Sequence, residues 1–169
     1  MEQNALESVI HDKKLIIFDM DGTLIDSEPM WMQVDKMILE RRGVQYDREK
    51  HVKEICGKSL EQIISYYIEQ YKIDLTPAQL KEEMDQTIDF VFATQIKFVP
   101  GAEKFLKKLH DEGKHIAVAS ACPHHQFELF FKEHPEQKKL IDQFVSCDDV
   151  QAWKPDPKVF NETMRRFGL

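Results

Sequence analysis

Apolar residues run unbroken through Leu15-Ile16-Ile17-Phe18 and stop at Asp19. A short apolar run bounded by turn-forming residues predicts a buried strand, here over 15–19. His115-Ile116-Ala117-Val118-Ala119, entering Ser120, predicts a second strand, and Phe144-Val145-Ser146-Cys147 a third. Between Pro100-Gly101 and Gly113 the apolar positions are Ala102, Phe105, Leu106 and Leu109, a helical spacing closed by a glycine. Residues 123–132 read as another helix. Residues 157–167 read as the last, with Pro157 suited to a first turn and Gly168 to a C-cap.

Residues 28–97 follow a different pattern. Helical periodicities run over 31–42, 60–71 and 77–96, and no stretch reads as a strand. The chain is therefore expected to start a sheet, leave it for a helical insert, and return near Val99-Pro100-Gly101. The expected class is α/β: a Rossmann-like parallel sheet core of about three strands, built from residues 1–27 and 98–169, with residues 28–97 as an inserted α-helical domain.

Composition narrows the partners. Twenty-three basic and 30 acidic side chains leave a net charge of −7, which argues against nucleic acid or an anionic membrane as partner. An anionic ligand must then be held by local positive features. The three cysteines, Cys56, Cys122 and Cys147, are scattered and odd in number, which fits a reducing compartment better than a disulfide framework. Residues 1–14 lack the apolar segment of a signal peptide, and no run approaches membrane-spanning length. The expected location is cytoplasmic.

The chemistry sits at the end of the first strand. Open α/β sheets place ligands beyond the carboxyl ends of their strands, and Asp19 and Asp21 fall there, one residue apart. Paired carboxylates imply a metal ion, a shared proton or a reaction that consumes one of them. Asp19 is the candidate nucleophile, since a carboxylate can attack phosphorus. Asp21 is the candidate acid and base. Alternatively, the pair only shapes a turn. Ser120, with the backbone N–H groups after it, forms a candidate phosphate site, or caps the helix after Pro123. Lys154 offers a compact charge for phosphate oxygens, or is an exposed loop lysine. His124-His125 and Asp148-Asp149 read as solvated or structural positions, not metal ligands.

The string Phe18-Asp19-Met20-Asp21-Gly22-Thr23-Leu24-Ile25-Asp26-Ser27 resembles the first motif of the haloacid dehalogenase-like phosphohydrolases. Its continuation, Glu28-Pro29-Met30-Trp31, resembles the branch of hexitol phosphatase and 2-deoxyglucose-6-phosphatase, near the β-phosphoglucomutase-like enzymes. Ser120 and the Lys154-Pro155-Asp156-Pro157 string are similar to the second and third motifs, and the resemblance extends from about residue 14 to the end. It implies a magnesium-dependent phosphatase acting on a small sugar or polyol phosphate through an aspartyl-phosphate. Asp19 and Asp21 would be catalytic and hold Mg2+; Met20, Ser120, Ala121 and Lys154 would bind the phosphoryl group. The insert would be a helical cap whose Gly57-Lys58-Ser59 resembles a specificity loop, with Lys58 reaching the substrate, or else solvated before a helix starting at Ser59. Trp31 stands where the mutases carry a proton-shuttling histidine, which favours hydrolysis over phosphosugar transfer.

The family's fourth motif, an acidic cluster after a fourth strand, has no counterpart before Leu169. The resemblance therefore implies a chain truncated at its C-terminus, with one magnesium carboxylate missing, impaired turnover or a catalytically silent fragment. It also implies that the first strand forms an exposed sheet edge open to self-association.

Overall fold

The computed structural model describes residues 9–169, and the chain divides into two compact units, Met1–Glu28 with Ile96–Leu169, and Pro29–Gln95. The reading of residues 1–14 as free of a leader lies largely outside the described residues. Among those described, no helix is long and apolar enough to cross a membrane.

The first unit is built on three parallel strands in the order β1 (Leu15–Phe18), β2 (His115–Ser120), β3 (Gln143–Ser146). Leu15 lies opposite His115 and Phe18 opposite Val118; Ala117 lies opposite Gln143 and Ser120 opposite Ser146. Burial follows position in the sheet. Every β2 residue from Ile116 to Ser120 is buried, as expected of a central parallel strand covered on both faces. All four β1 residues are only half-buried, because among the described strands β1 pairs with β2 alone. The expected α/β class, a parallel three-stranded core with flanking and inserted helices, is the observed one.

The three longer helices of this unit each bury a short stripe against the sheet. The Ala102–Asp111 helix buries Leu106 and Leu109, and the His124–Lys132 helix buries Phe127, Phe130 and Phe131. The Lys158–Arg166 helix buries Val159 and Thr163. Val159 joins Ala119, Val145 and Cys147 in one core cluster, against which Ile17, Val150 and Phe160 pack. Two single-turn helices, Pro135–Lys138 and Cys147–Val150, were not expected from the pattern. They are too short for periodicity to register.

The second unit is helical: α1 (Met30–Glu40), α2 (Arg48–Ile55), α3 (Leu60–Tyr71) and α4 (Pro77–Thr94). Capping boxes start α3 at Ser59 with Gln62, and α4 at Thr76 with Gln79, so side chains pair with the first free amides of both helices. Helix α2 was not anticipated. It is capped by Asp47, which accepts from the Lys50 amide, yet its only buried side chain is His51. A helix without an apolar stripe leaves no periodic signal.

Candidate active site

The turn after β1 carries both aspartates. Asp19 is the first residue past the strand, Met20 is fully buried, and Asp21 is exposed. The Met20 carbonyl accepts from the amides of Thr23, Leu24 and Ile25 at 3.3, 2.9 and 3.1 Å, and the Gly22 amide donates to the Ile25 carbonyl at 2.9 Å. Gly22 has φ +69°, a left-handed conformation that a side chain would strain. The buried Met20 anchors the turn, with a carboxylate on either side of it.

Two groups converge on one oxygen of Asp19. Its Oδ1 accepts from the Met20 amide at 2.8 Å and lies 2.8 Å from Lys154 Nζ. Lys154 also donates to the Ala119 carbonyl at 2.9 Å and lies 5.2 Å from the centroid of the Phe160 ring. The lysine is thus fixed by a charge, a carbonyl and an aromatic face. It is not a free loop lysine.

Ser120 ends β2 and is completely buried. Its Oγ accepts from the Cys122 amide at 3.0 Å and donates to Asp21 Oδ2 at 3.4 Å. Pro123 holds the N-cap of the next helix with no side-chain cap, so Ser120 is not a helix cap. Ala121, between Ser120 and Cys122, is exposed. The fold therefore brings Asp19, Asp21, Ser120 and Lys154 together where the strands end, across long sequence separations. Lys58 belongs to the other unit, where its ammonium donates to the Glu54 carbonyl and lies 5.6 Å from the Tyr66 ring centroid.

Sequence reasoning missed three supports of this arrangement: the Ala119 carbonyl, the Phe160 ring and the Cys122 amide. Backbone groups carry no sequence signal, and Phe160 reads as an ordinary core residue. Burial, with the charge of Asp21 adding to it, pushes the Cys122 thiol up and disfavours its thiolate.

Asp149 is committed to structure. Its carboxylate accepts from the Ser146 amide at 3.2 Å and pairs with His124 Nε2 at 2.8 Å and Arg166 Nη2 at 3.2 Å. Partial burial alone would raise its carboxyl, but the His124 and Ser146 hydrogen bonds and the Arg166 charge outweigh that and hold it below the usual range. A depressed native value contributes stability that is fully present above the unfolded value of about 3.9 and is lost as pH falls through the native one. Asp149→Asn is expected to remove that part of the acid-side loss. Urea unfolding at pH 6 and at stepwise lower pH should show the wild-type advantage shrinking; a constant difference would refute it.

The donor set suits a hard cation. Magnesium takes oxygen ligands and is usually held by one or two carboxylates together with substrate oxygens and water. Asp19 can supply such a carboxylate and Asp21 its backbone carbonyl, and among the described residues no group of three or more His, Cys, Asp or Glu could hold a metal. The two aspartates fit Mg2+ as part of a shared protein–substrate shell and do not form a closed cage.

Comparison with known proteins places the chain in a family and matches its fold. Residues 16–169 match the family model of the haloacid dehalogenase-like hydrolases. The chain is 31% identical over 155 residues to (DL)-glycerol-3-phosphatase 1 of Arabidopsis thaliana, covering 90% of this chain and 52% of that protein. It is 24% identical to hexitol phosphatase B of Escherichia coli over 90% of this chain and 69% of that protein. The fold superposes on a Thermotoga maritima structure described as a candidate beta-phosphoglucomutase with a TM-score of 0.82 at 24% identity, covering 92% of this chain and 71% of that one. The chain thus spans about half to two-thirds of the length of these curated relatives.

Proposed function

The chain belongs to the haloacid dehalogenase-like hydrolases, and from that membership we propose that it is the catalytic part of a phosphatase acting on a small sugar or polyol phosphate. The observation that carries the proposal is the 2.8 Å pairing of Lys154 with Asp19 Oδ1 at the end of β1. The ammonium and the Met20 amide hold the carboxylate through one oxygen, and the other, Oδ2, would be the one to attack phosphorus.

In the first step Oδ2 of Asp19 forms a bond to phosphorus while the ester P–O bond breaks. Asp21 gives its proton to the departing alkoxide oxygen. In the second step the Asp21 carboxylate takes a proton from water. The resulting hydroxide forms a bond to phosphorus as the P–O bond to Asp19 breaks, returning Asp19 as a carboxylate and releasing inorganic phosphate. Lys154, the Ser120 hydroxyl and the amides of Met20 and Ala121 hold the phosphoryl oxygens. Magnesium, when bound through Asp19 and Asp21, would offset the charge between carboxylates and phosphate. Lys58 of the helical unit would select substrates by pairing with an anionic group. Self-association through the β1 edge finds no support in the fold or the comparisons and forms no part of the proposal.

The test is phosphate release from glycerol 3-phosphate, a hexitol 6-phosphate and p-nitrophenyl phosphate, each with magnesium and with EDTA. Release that EDTA abolishes is expected. Isomerised sugar phosphate without free phosphate would replace hydrolysis by mutase chemistry. No release from any ester, together with no binding of beryllium fluoride to Asp19, would sink the proposal.

A further inference from the structure

Within the helical unit, three titratable side chains from three helices meet out of solvent. Asp35 of α1, His51 of α2 and Tyr67 of α3 are 3%, 2% and 0% exposed. The Tyr67 hydroxyl donates to Asp35 Oδ1 at 2.6 Å. His51 Nε2 lies 3.1 Å from Asp35 Oδ2 and 2.8 Å from the Tyr67 oxygen. Because Tyr67 commits its one proton to Asp35, Nε2 must carry a hydrogen to interact favourably with either oxygen. Burial, and then the Asp35 charge, push the Tyr67 hydroxyl up, so it stays a donor. The Tyr46 ring stands 5.1 Å from the imidazole, centroid to centroid.

Such a cluster is an unusual way to dock a helix. A buried carboxylate and imidazole are costly unless fully paired, and among the described residues His51 Nδ1 and Tyr46 OH are buried with no hydrogen-bond partner. Helix α2 has no apolar residue buried that could replace this anchor. Its C-terminus runs into Cys56-Gly57-Lys58, where the Lys58 amide donates to the Ile55 carbonyl at 3.0 Å and the Lys58 ammonium donates to the Glu54 carbonyl. Lys58 is thus hydrogen-bonded to α2 at both ends.

We infer that His51 is a positioning residue: its Nε2–H, bonded to Asp35 and Tyr67, docks α2 and thereby sets the place of Lys58. The docking half stands on this geometry alone. The consequence for ligand recognition rests on the assignment of Lys58 to substrate selection.

The test compares His51→Leu, His51→Gln, Lys58→Ala and the His51→Leu/Lys58→Ala double variant. His51→Leu keeps bulk but loses the donor, whereas Gln retains a side-chain N–H at comparable reach. Hydrogen exchange of the Cys56 and Lys58 amides should speed up about tenfold or more in His51→Leu, with α4 amides unchanged, and should recover in His51→Gln. Titration with glycerol 3-phosphate in the presence of magnesium should show His51→Leu and Lys58→Ala weakening binding alike, with the double variant no weaker than Lys58→Ala. Unchanged exchange at Cys56 and Lys58, or no recovery with Gln, would overturn the docking role. Faster exchange with additive losses in binding would overturn the link to Lys58. Normal binding by Lys58→Ala would instead overturn the assignment of Lys58, leaving the docking result to stand by itself.

Discussion

Asp19→Asn is expected to lower phosphate release by about 10³-fold or more, because it removes the attacking group itself. The substitution is nearly isosteric. An amide oxygen at Oδ1 can still accept from the Met20 amide, so the turn held by the Met20 carbonyl should keep its shape. What disappears is the charge facing Lys154 at 2.8 Å and the nucleophilic oxygen beside it. The lysine keeps the Ala119 carbonyl and the Phe160 face, so its position should change little. The measurement is steady-state phosphate release from the best ester found, alongside thermal unfolding of the same samples. A purely structural Asp19 would give the reverse pattern: a lower melting temperature and a rate within a few-fold of wild type. Loss of rate with an unchanged melt is the expected signature.

Phe130→Ala should cost about 3–5 kcal/mol of stability, a large part of the roughly 5–15 kcal/mol typical of a whole domain. Phe130 is 1% exposed and sits at the centre of an aromatic group. Its ring meets Phe98 at 4.9 Å, Phe131 at 5.0 Å and His134 at 4.7 Å between centroids. Removing the ring leaves a cavity lined by rigid aromatics that cannot easily collapse into it, which puts the cost at the high end of truncations. The loss also reaches the site. Phe98 forms a β-bridge with Ile25, and the Val99 amide donates to the Leu24 carbonyl at 2.9 Å. Those residues close the turn that presents Asp19 and Asp21. Urea denaturation measures the effect; a loss below about 1 kcal/mol would mean that the aromatic group repacks around the gap.

The strands were legible because burial of a parallel sheet writes itself as unbroken apolar runs. Residues 115–119 and 144–147 were each displaced by no more than one residue at an end. The long helices of the insert were legible from their apolar periodicity, and α3 begins and ends where the pattern placed it. Helix α2 was not, because its one buried side chain is a histidine held by hydrogen bonds. Hydrogen bonds between residues of different helices have no periodicity.

The candidate chemistry divides the same way. The sequence by itself determined the chemical types: two carboxylates at a strand end, a hydroxyl at another, a lysine in a proline-rich loop. Local order dictated these, since the turn after β1 takes a left-handed backbone at Gly22 that a side chain would strain. Only the tertiary structure decided which atoms meet. Lys154 and Asp19 lie on separate segments, and their 2.8 Å contact exists because β1 and β3 flank β2 in one parallel sheet. It also settled Asp149, which sequence leaves as one of two adjacent acids and which the fold binds to His124, Ser146 and Arg166. Covalent neighbours set the conformation of a turn, but a charge pair between distant segments depends on sheet order, which the packing of the whole unit fixes.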